Sequence, residues 1–280
     1  MIDLRALIAN TQNLVPLAPT VARLAVRLGR EDCELSEITE IIAYDQILTL
    51  QLLRAANSAA SASALPVTTV QEAVLRLGAA KVLSLIVAAN IKGLVAPSLP
   101  QFGLTEGGLW RHSVAAAASA ELFTELCPIP VPAEAFTTAL LHDVGKLILA
   151  RFLTPEVLAF LHRARAEGGL NPFEAEAELL QVHHGEVGGL VAQHWQLPDS
   201  IVQAIIHHHT PEKLMQVTCD VTYLANLAAH RIEAHTAGQP FTHTPDPRVL
   251  ERLELKPARW DAAMAAVSRF HEILARYEAL

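Results

Sequence analysis

The chain has 280 residues, of which 51% are hydrophobic, 18% charged and only 5% aromatic, with a formal net charge of −8. That balance supplies apolar surface for one large domain or two smaller ones, and abundant Ala and Leu favour packed helices, since both lose little entropy on entering a helix. It disfavours sequence-independent nucleic-acid binding, which depends on neutralising phosphates with Lys and Arg, and no Lys/Arg run offers a local basic patch.

In chain order, Met1-Ile2-Asp3-Leu4-Arg5 lacks the basic-then-apolar layout of a signal peptide. Pro16 and Pro19 interrupt the chain. Val21, Leu24, Ala25 and Leu28 then share a helical face, and Gly29 stops the run. Leu35, Ile38, Ile41 and Ile42 repeat the pattern. Asp45 is placed to N-cap a helix over 46–57, because its carboxylate can accept from free amides of the first turn; Leu48, Leu52 and Ala55 would face inward. The Ser/Ala stretch 58–64 and Pro66 predict a loop, with the Asn57 amide at the helix end able to satisfy loop backbone groups. A longer pattern over 70–91 is interrupted near Gly78. It is apolar on more than one face, through Val74, Leu77, Val82, Leu85, Ile86 and Ala89, so neighbours are expected on several sides.

Pro97, Pro100 and Gly103 mark a boundary between an N-terminal helical part, residues 1–100, and a second part, residues 101–280. Helices are predicted in the second part over 105–126, 133–141, 146–152, 155–166, 172–182, 186–195, 199–207, 217–235 and 258–277, with a loop over 238–247. Strand-type alternation is absent, which predicts an all-α fold. No uncharged apolar stretch reaches the ~18 residues of a membrane span, so a soluble, cytoplasmic protein without membrane partners is expected. Cys33, Cys127 and Cys219 are odd in number, far apart and in no metal-type spacing; they read as buried or incidental thiols of a reducing compartment.

The chemistry-bearing residues are His and Asp. His142-Asp143 ends an apolar helix and is followed by Val144-Gly145-Lys146. A neutral imidazole ligates one ion and an adjacent carboxylate can bridge two, while Lys146 is placed to contact a substrate phosphate. His112 comes earlier, from a long helix; His183-His184-Gly185-Glu186 and His207-His208-His209 follow at helix ends. Singly, His162, His194, His230, His243 and His271 read as surface or satisfied polar residues, and the 207–209 run alone could be a helix C-terminal feature. The ordered set His112, His142-Asp143, His184 and His208-His209 favours one shared site.

The run 140–146, Leu-Leu-His-Asp-Val-Gly-Lys, resembles the signature of the HD phosphohydrolase superfamily. Residues 45–59 and 70–78 resemble, more narrowly, the N-terminal signature of HDOD domains. His184-Gly185-Glu186-Val187-Gly188, Trp195 with Leu197-Pro198, and His208-His209 with Pro211 continue that pattern in order, over roughly residues 10–235. The resemblance implies an all-α HD-domain fold, with 101–280 as the HD-like part. It also implies an output or scaffold role in bacterial signalling. Related HD-GYP cyclic-dinucleotide phosphodiesterases use metal ligands in the order His, His-Asp, His, His-His, Asp. By resemblance these roles fall on His112, His142, Asp143, His184, His208 and His209, with one or two divalent ions (Fe, Mn, Zn or Mg), and catalytic roles on Asp143 and Lys146. Two departures stand out. Thr210-Pro211-Glu212 replaces the Gly-Tyr-Pro, and Asn226 stands where the last Asp is expected.

Two functions follow. One is a non-catalytic or weakly catalytic signalling module that binds partner proteins or a small phosphorylated ligand. The other is a metal-dependent phosphohydrolase acting on a nucleotide or cyclic dinucleotide.

Overall fold

Polar caps and apolar stripes decide where the helices start and what they bury. The structure, a computed structural model, describes residues 3–14, 17–28, 34–57 and 67–265. All regular structure among them is helical apart from one isolated bridge between Leu99 and Leu104. Met1, Ile2, Pro16, Gly29, Cys33, the expected loop at 58–66, His271 and the end of the helix expected over 258–277 lie outside the described residues.

A first helix, α1 (Leu4–Gln12), was not evident from apolar spacing and buries Leu7. Helix α2 (Pro19–Leu28) buries Val21, Leu24 and Ala25, and α3 (Leu35–Ala43) buries Ile38 and Ile42. The Asp45 carboxylate accepts from the Leu48 amide at 3.1 Å and so caps α4 (Gln46–Ala56). Leu48, Leu52 and Ala56 are buried; Ala55, expected inward, is only half-buried. Asn57 clamps the end of this helix to the next segment. Its amide donates to the Leu53 and Val67 carbonyls at 2.9 and 2.8 Å, and its oxygen accepts from the Val67 amide at 2.7 Å. A Thr69–Glu72 capping box opens α5 (Val70–Leu77). Gly78, at φ +79°, then breaks the chain into α6 (Ala79–Val95), a conformation that side chains other than glycine rarely adopt.

The remaining helices are α7 (Gly108–Leu126), α8 (Ala135–Leu141), α9 (Lys146–Leu149), α10 (Pro155–Gly168), α11 (Pro172–Ala175), α12 (His184–His194), α13 (Asp199–His207), α14 (Val217–Thr236), α15 (Pro247–Arg252) and α16 (Pro257–Ala265). The single helix expected over 172–182 is instead α11 followed by a π-helical turn, Glu176–Leu180, which ends at Gln181 with φ +57°. Helix α12 starts earlier than expected because the His183 ring accepts from the Glu186 amide and caps it. Helix α15 was not expected, although Asp246 before Pro247 is a start signal; the Asp246 carboxylate accepts from the Arg248 amide at 2.8 Å.

One buried cluster extends from Leu7 to Ile205 and holds side chains on both sides of the 97–103 segment. Helix α6 lies within it, against α2 and α4 on one side and α7 and α8 on the other, as its broad apolar surface predicts. The Lys81 ammonium meets the Glu121 carboxylate across α6 and α7 at 2.5 Å. A second cluster joins α7 to α14, α15 and α16, with Phe123 and Trp260 stacked at 5.7 Å between ring centroids. Alanines let α7 face both: Ala117 contributes to the first cluster, and Ala115, Ala116 and Ala120 to the second.

Helix α12 is wedged between α9 and α13, and glycine makes the wedge possible. A Cβ on Gly145 would fall inside contact distance of the His184 carbonyl oxygen and the Gly188 amide, and 3.0 Å from Gly188 Cα. A Cβ on Gly188 would lie 2.8 Å from a methyl of Ile205. Among the described residues no single helix is long and apolar enough to cross a membrane. Cys127 and Cys219 are buried free thiols.

Candidate metal centre

Helix α8 ends at Leu141, and the turn before α9 carries His142 and Asp143 into the interior, where Asp143 is 1% exposed. Four imidazoles from four places in the chain converge on its carboxylate. His112 Nε2 from α7 and His142 Nε2 lie 3.4 and 3.5 Å from Oδ2; His184 Nε2 from α12 and His208 Nε2 after α13 lie 3.3 and 3.9 Å from Oδ1. His209 joins through its Nε2, 2.9 Å from that of His184. The six residues proposed from sequence as ligands therefore share one centre. Three donor groups follow among the described residues: His112, His142 and Asp143 on one side of the centre, His184, His208 and His209 on the other, and His112 with His230 and Glu233 behind the first.

The outer ring nitrogens show how the imidazoles are held. His142 Nδ1–H donates to the Ala139 carbonyl at 2.7 Å, and His208 Nδ1–H to the Ile205 carbonyl at 2.6 Å. His112 Nδ1–H donates to the Glu233 carboxylate at 2.8 Å, and His184 Nδ1–H to Glu176 at 2.7 Å. Glu176 also accepts from the His184 amide at 2.9 Å. Each outer partner is an acceptor only, so the proton belongs on Nδ1 and the Nε2 lone pair faces Asp143. Metal-binding histidines are oriented in this way, by a carboxylate or carbonyl on the far nitrogen. Asp143 Oδ1 and His208 Nε2 are buried with no hydrogen-bond partner among the described residues. Unpaired buried acceptors are costly, and a bound cation satisfies both. The donor set fits a divalent metal.

Electrostatics agree with that fit. Burial works to raise the Asp143 carboxyl, but Lys146, His142, His184 and His112 outweigh it and hold it well below the usual carboxylate range. Burial pushes His142 down to about 3. Burial, then neighbouring imidazoles, pushes His208 and His209 well below the ordinary value. These are neutral, ligand-ready rings. His112 moves the other way: burial opposes, but the Glu233 carboxylate raises it.

Lys146, expected to reach a substrate phosphate, turns inward instead. Its Nζ lies 2.5 Å from Asp143 Oδ2 and 5.7 Å from the centre of the Phe102 ring. Asn226 occupies the position read from the sequence, with Oδ1 3.2 Å from His112 Nε2. Asp220 faces away, buried against Arg252 at 2.7 Å. His162 and His243 are exposed and His194 is half-buried. His230 is not an isolated surface residue: its ring lies 4.6 Å from that of His112, and its Nδ1 3.1 Å from Glu233. Sequence reading also missed Glu176 and Glu233. For Glu233 a signal existed, since it lies seven residues after Asn226 on the same face of α14.

A helical chain whose His-Asp pair lies between imidazoles from three further helices is a protein of the HD-related class. The HDOD domain family model matches residues 14–211, and the chain belongs to that family. Its fold is shared with an HDOD domain protein of unknown function from Geobacter sulfurreducens, 23% identical with a TM-score of 0.66 over 99% of this chain and 98% of that one. It is also shared with a candidate signal transduction protein from Marinobacter aquaeolei VT8, 20% identical with a TM-score of 0.73 over 99% of this chain and 62% of that one. A candidate metal-dependent phosphohydrolase from Shewanella amazonensis SB2B is 18% identical, with a TM-score of 0.53 over 98% and 96%. An uncharacterized protein of Treponema pallidum (strain Nichols) is 25% identical over 247 residues, 86% of this chain and 47% of that one. The chain thus spans about half the length of that curated relative.

Proposed function

We propose that this HDOD chain is a signal-transduction output or scaffold module in which a buried divalent metal centre pins α7, α8, α12 and α13 together, with hydrolysis weak or absent. The observation that carries the reading is closure. His112, His142, Asp143, His184, His208 and Asn226 are each at most 5% exposed, and of the six residues proposed as ligands only His209 is half-buried. A hydrolytic metal site keeps a coordination position open to its substrate, whereas a structural one is closed. Asn226 supports the same reading, because it offers a neutral oxygen where a carboxylate would hold a second ion more firmly. A bound ion would supply positive charge and Lewis acidity at Asp143. Imidazoles of the two groups, His112 with His142 and His184 with His208 and His209, are the residues that would hold metal beside Asp143, with Glu233 and Glu176 fixing two of the rings. Signalling proteins are the expected partners, docking on the outer helical surface.

The phosphohydrolase reading keeps one specific observation in its favour, a single carboxylate approached from both sides, by His112 and His142 at Oδ2 and by His184 and His208 at Oδ1. Elemental analysis of the purified chain, with assays on a cyclic dinucleotide and a mononucleotide in added Mn²⁺ or Fe²⁺, separates the two. Bound metal with turnover far below about 1 s⁻¹ is expected; turnover at or above that ordinary enzymatic rate refutes the scaffold reading.

A further inference from the structure

We propose that the Lys146 ammonium stands in for a second cation, so that the centre takes a single transition-metal ion, on the side of His184, His208, His209 and Asp143 Oδ1. This rests on the metal-binding reading above and specifies the stoichiometry and place of the ion.

The two donor sets on either side of the centre are alike in spacing but not in partners. In the first, the Asp143 oxygen that faces the two rings already holds a cationic partner inside the protein. His112 Nε2 is 3.2 Å from both His142 Nε2 and Asn226 Oδ1, and Asp143 Oδ2 receives Lys146 at 2.5 Å. In the second, Asp143 Oδ1 and His208 Nε2 are left without a partner among the described residues, at 1% and 0% residue exposure. Buried polar atoms of that kind point to a missing ligand, since native interiors leave few of them unpaired.

Spacing and chemistry suit one ion there. Donors held about 2.0–2.1 Å from a four-coordinate centre lie about 3.3 Å apart. The three imidazoles offer nitrogens that lie within 4.8 Å of one another, with Asp143 outside that group; the separations 2.9, 3.3 and 3.9 Å, for His184 to His209, His184 to Oδ1 and His208 to Oδ1, are of the same order as that spacing. Three imidazoles and one carboxylate oxygen suit zinc, iron or cobalt rather than magnesium or calcium.

The first set is closed by charge. An ion about 2.1 Å from Oδ2 would lie within roughly 4.6 Å of the Lys146 ammonium, whose own distance to that oxygen is 2.5 Å. Two cations that close in a buried site repel strongly. The Lys146 side chain is only 15% exposed, with the Phe102 ring beside its Nζ.

The test uses the full chain, stripped with a chelator and titrated with Zn²⁺ by calorimetry and with Co²⁺ by visible absorption. Wild type is expected to bind one equivalent with a four-coordinate cobalt spectrum. His208→Ala is expected to weaken binding by at least about 100-fold, and His142→Ala to keep the single equivalent. Lys146→Met, and Lys146→Gln, which retains a donor for Oδ2, are both expected to take two equivalents while keeping the helical circular-dichroism signal. Two equivalents in wild type, equal losses in the two histidine variants, or one equivalent in both folded lysine variants overturns the proposal while leaving the metal-binding reading intact. Absence of any binding by wild type overturns both. Should the lysine variants not fold, the histidine pair still decides the side on which the ion sits.

Discussion

Replacing Gly145 with Ala probes the contact that brings His184 to Asp143. Two effects compete, and their signs differ. Gly145 has φ −63°, so an alanine fits its backbone and removing glycine's extra unfolded-state freedom would stabilise by roughly 0.4–1 kcal/mol. Against that, the new methyl would overlap the His184 carbonyl and the Gly188 amide, with Gly188 Cα at 3.0 Å. The obstacles are backbone, which cannot rotate away as a side chain can. Restoring carbon contacts to about 3.5 Å requires α12 to withdraw by something on the order of 1 Å. Overpacking of this kind costs about 1–3 kcal/mol, so the steric effect wins. The withdrawal also carries His184 away from Asp143 Oδ1, now 3.3 Å distant, whereas metal donors tolerate only about 0.2 Å of error. The net loss, up to roughly 2.6 kcal/mol, should lower the melting temperature of the metal-free protein by up to roughly 10 °C, and Zn²⁺ affinity should fall by about 10- to 100-fold. An unchanged or raised melting temperature together with wild-type affinity refutes the close approach of α9 and α12.

Asn57→Ala removes two hydrogen bonds that tie α4 to Val67 and a third to the Leu53 carbonyl within the helix, and should cost roughly 0.5–2 kcal/mol in urea denaturation; no shift in the midpoint rules out the clamp. Asn226→Asp places a second carboxylate beside His112 and, in a Lys146→Met background where the competing ammonium is gone, should tighten binding of a second ion relative to Lys146→Met alone; equal affinity in the two counts against Asn226 as a ligand substitute. In the metal-free protein, His142, pushed down to about 3, and His208 and His209 stay neutral when folded, while the unfolded chain protonates them near 6.5. The unfolded state then binds more protons, so stability falls as pH drops below about 6.5, by about 1.4 kcal/mol per unit for each net proton. His112 is raised and works in the opposite direction, losing its contribution as pH rises, which leaves the three lowered rings dominant. A flat denaturation midpoint between about pH 6.5 and pH 5 contradicts this sign.

Much of the candidate site was legible along the chain because its signals are local. His142-Asp143 follows an apolar run, His184 and His208-His209 stand at helix ends, and Asn226 lies at the register of a missing carboxylate. Asp45 as a cap, Gly78 as a break and the many-sided burial of α6 were legible for the same reason: they depend on spacing within one helix. What the tertiary structure alone decided depends on how helices lie against one another. Glu233 reaches His112 from α14, and Glu176 reaches His184 through a π-helical turn where an unbroken helix was expected. Lys146, placed by its position to contact a substrate phosphate at the rim of the site, instead donates to the buried Asp143 carboxylate. Periodicity records which face of a helix is apolar. It does not record which distant side chain will meet that face, because the approach of α12 to α9 and α13 is set by the absence of side chains at Gly145 and Gly188 and by packing across the whole interior.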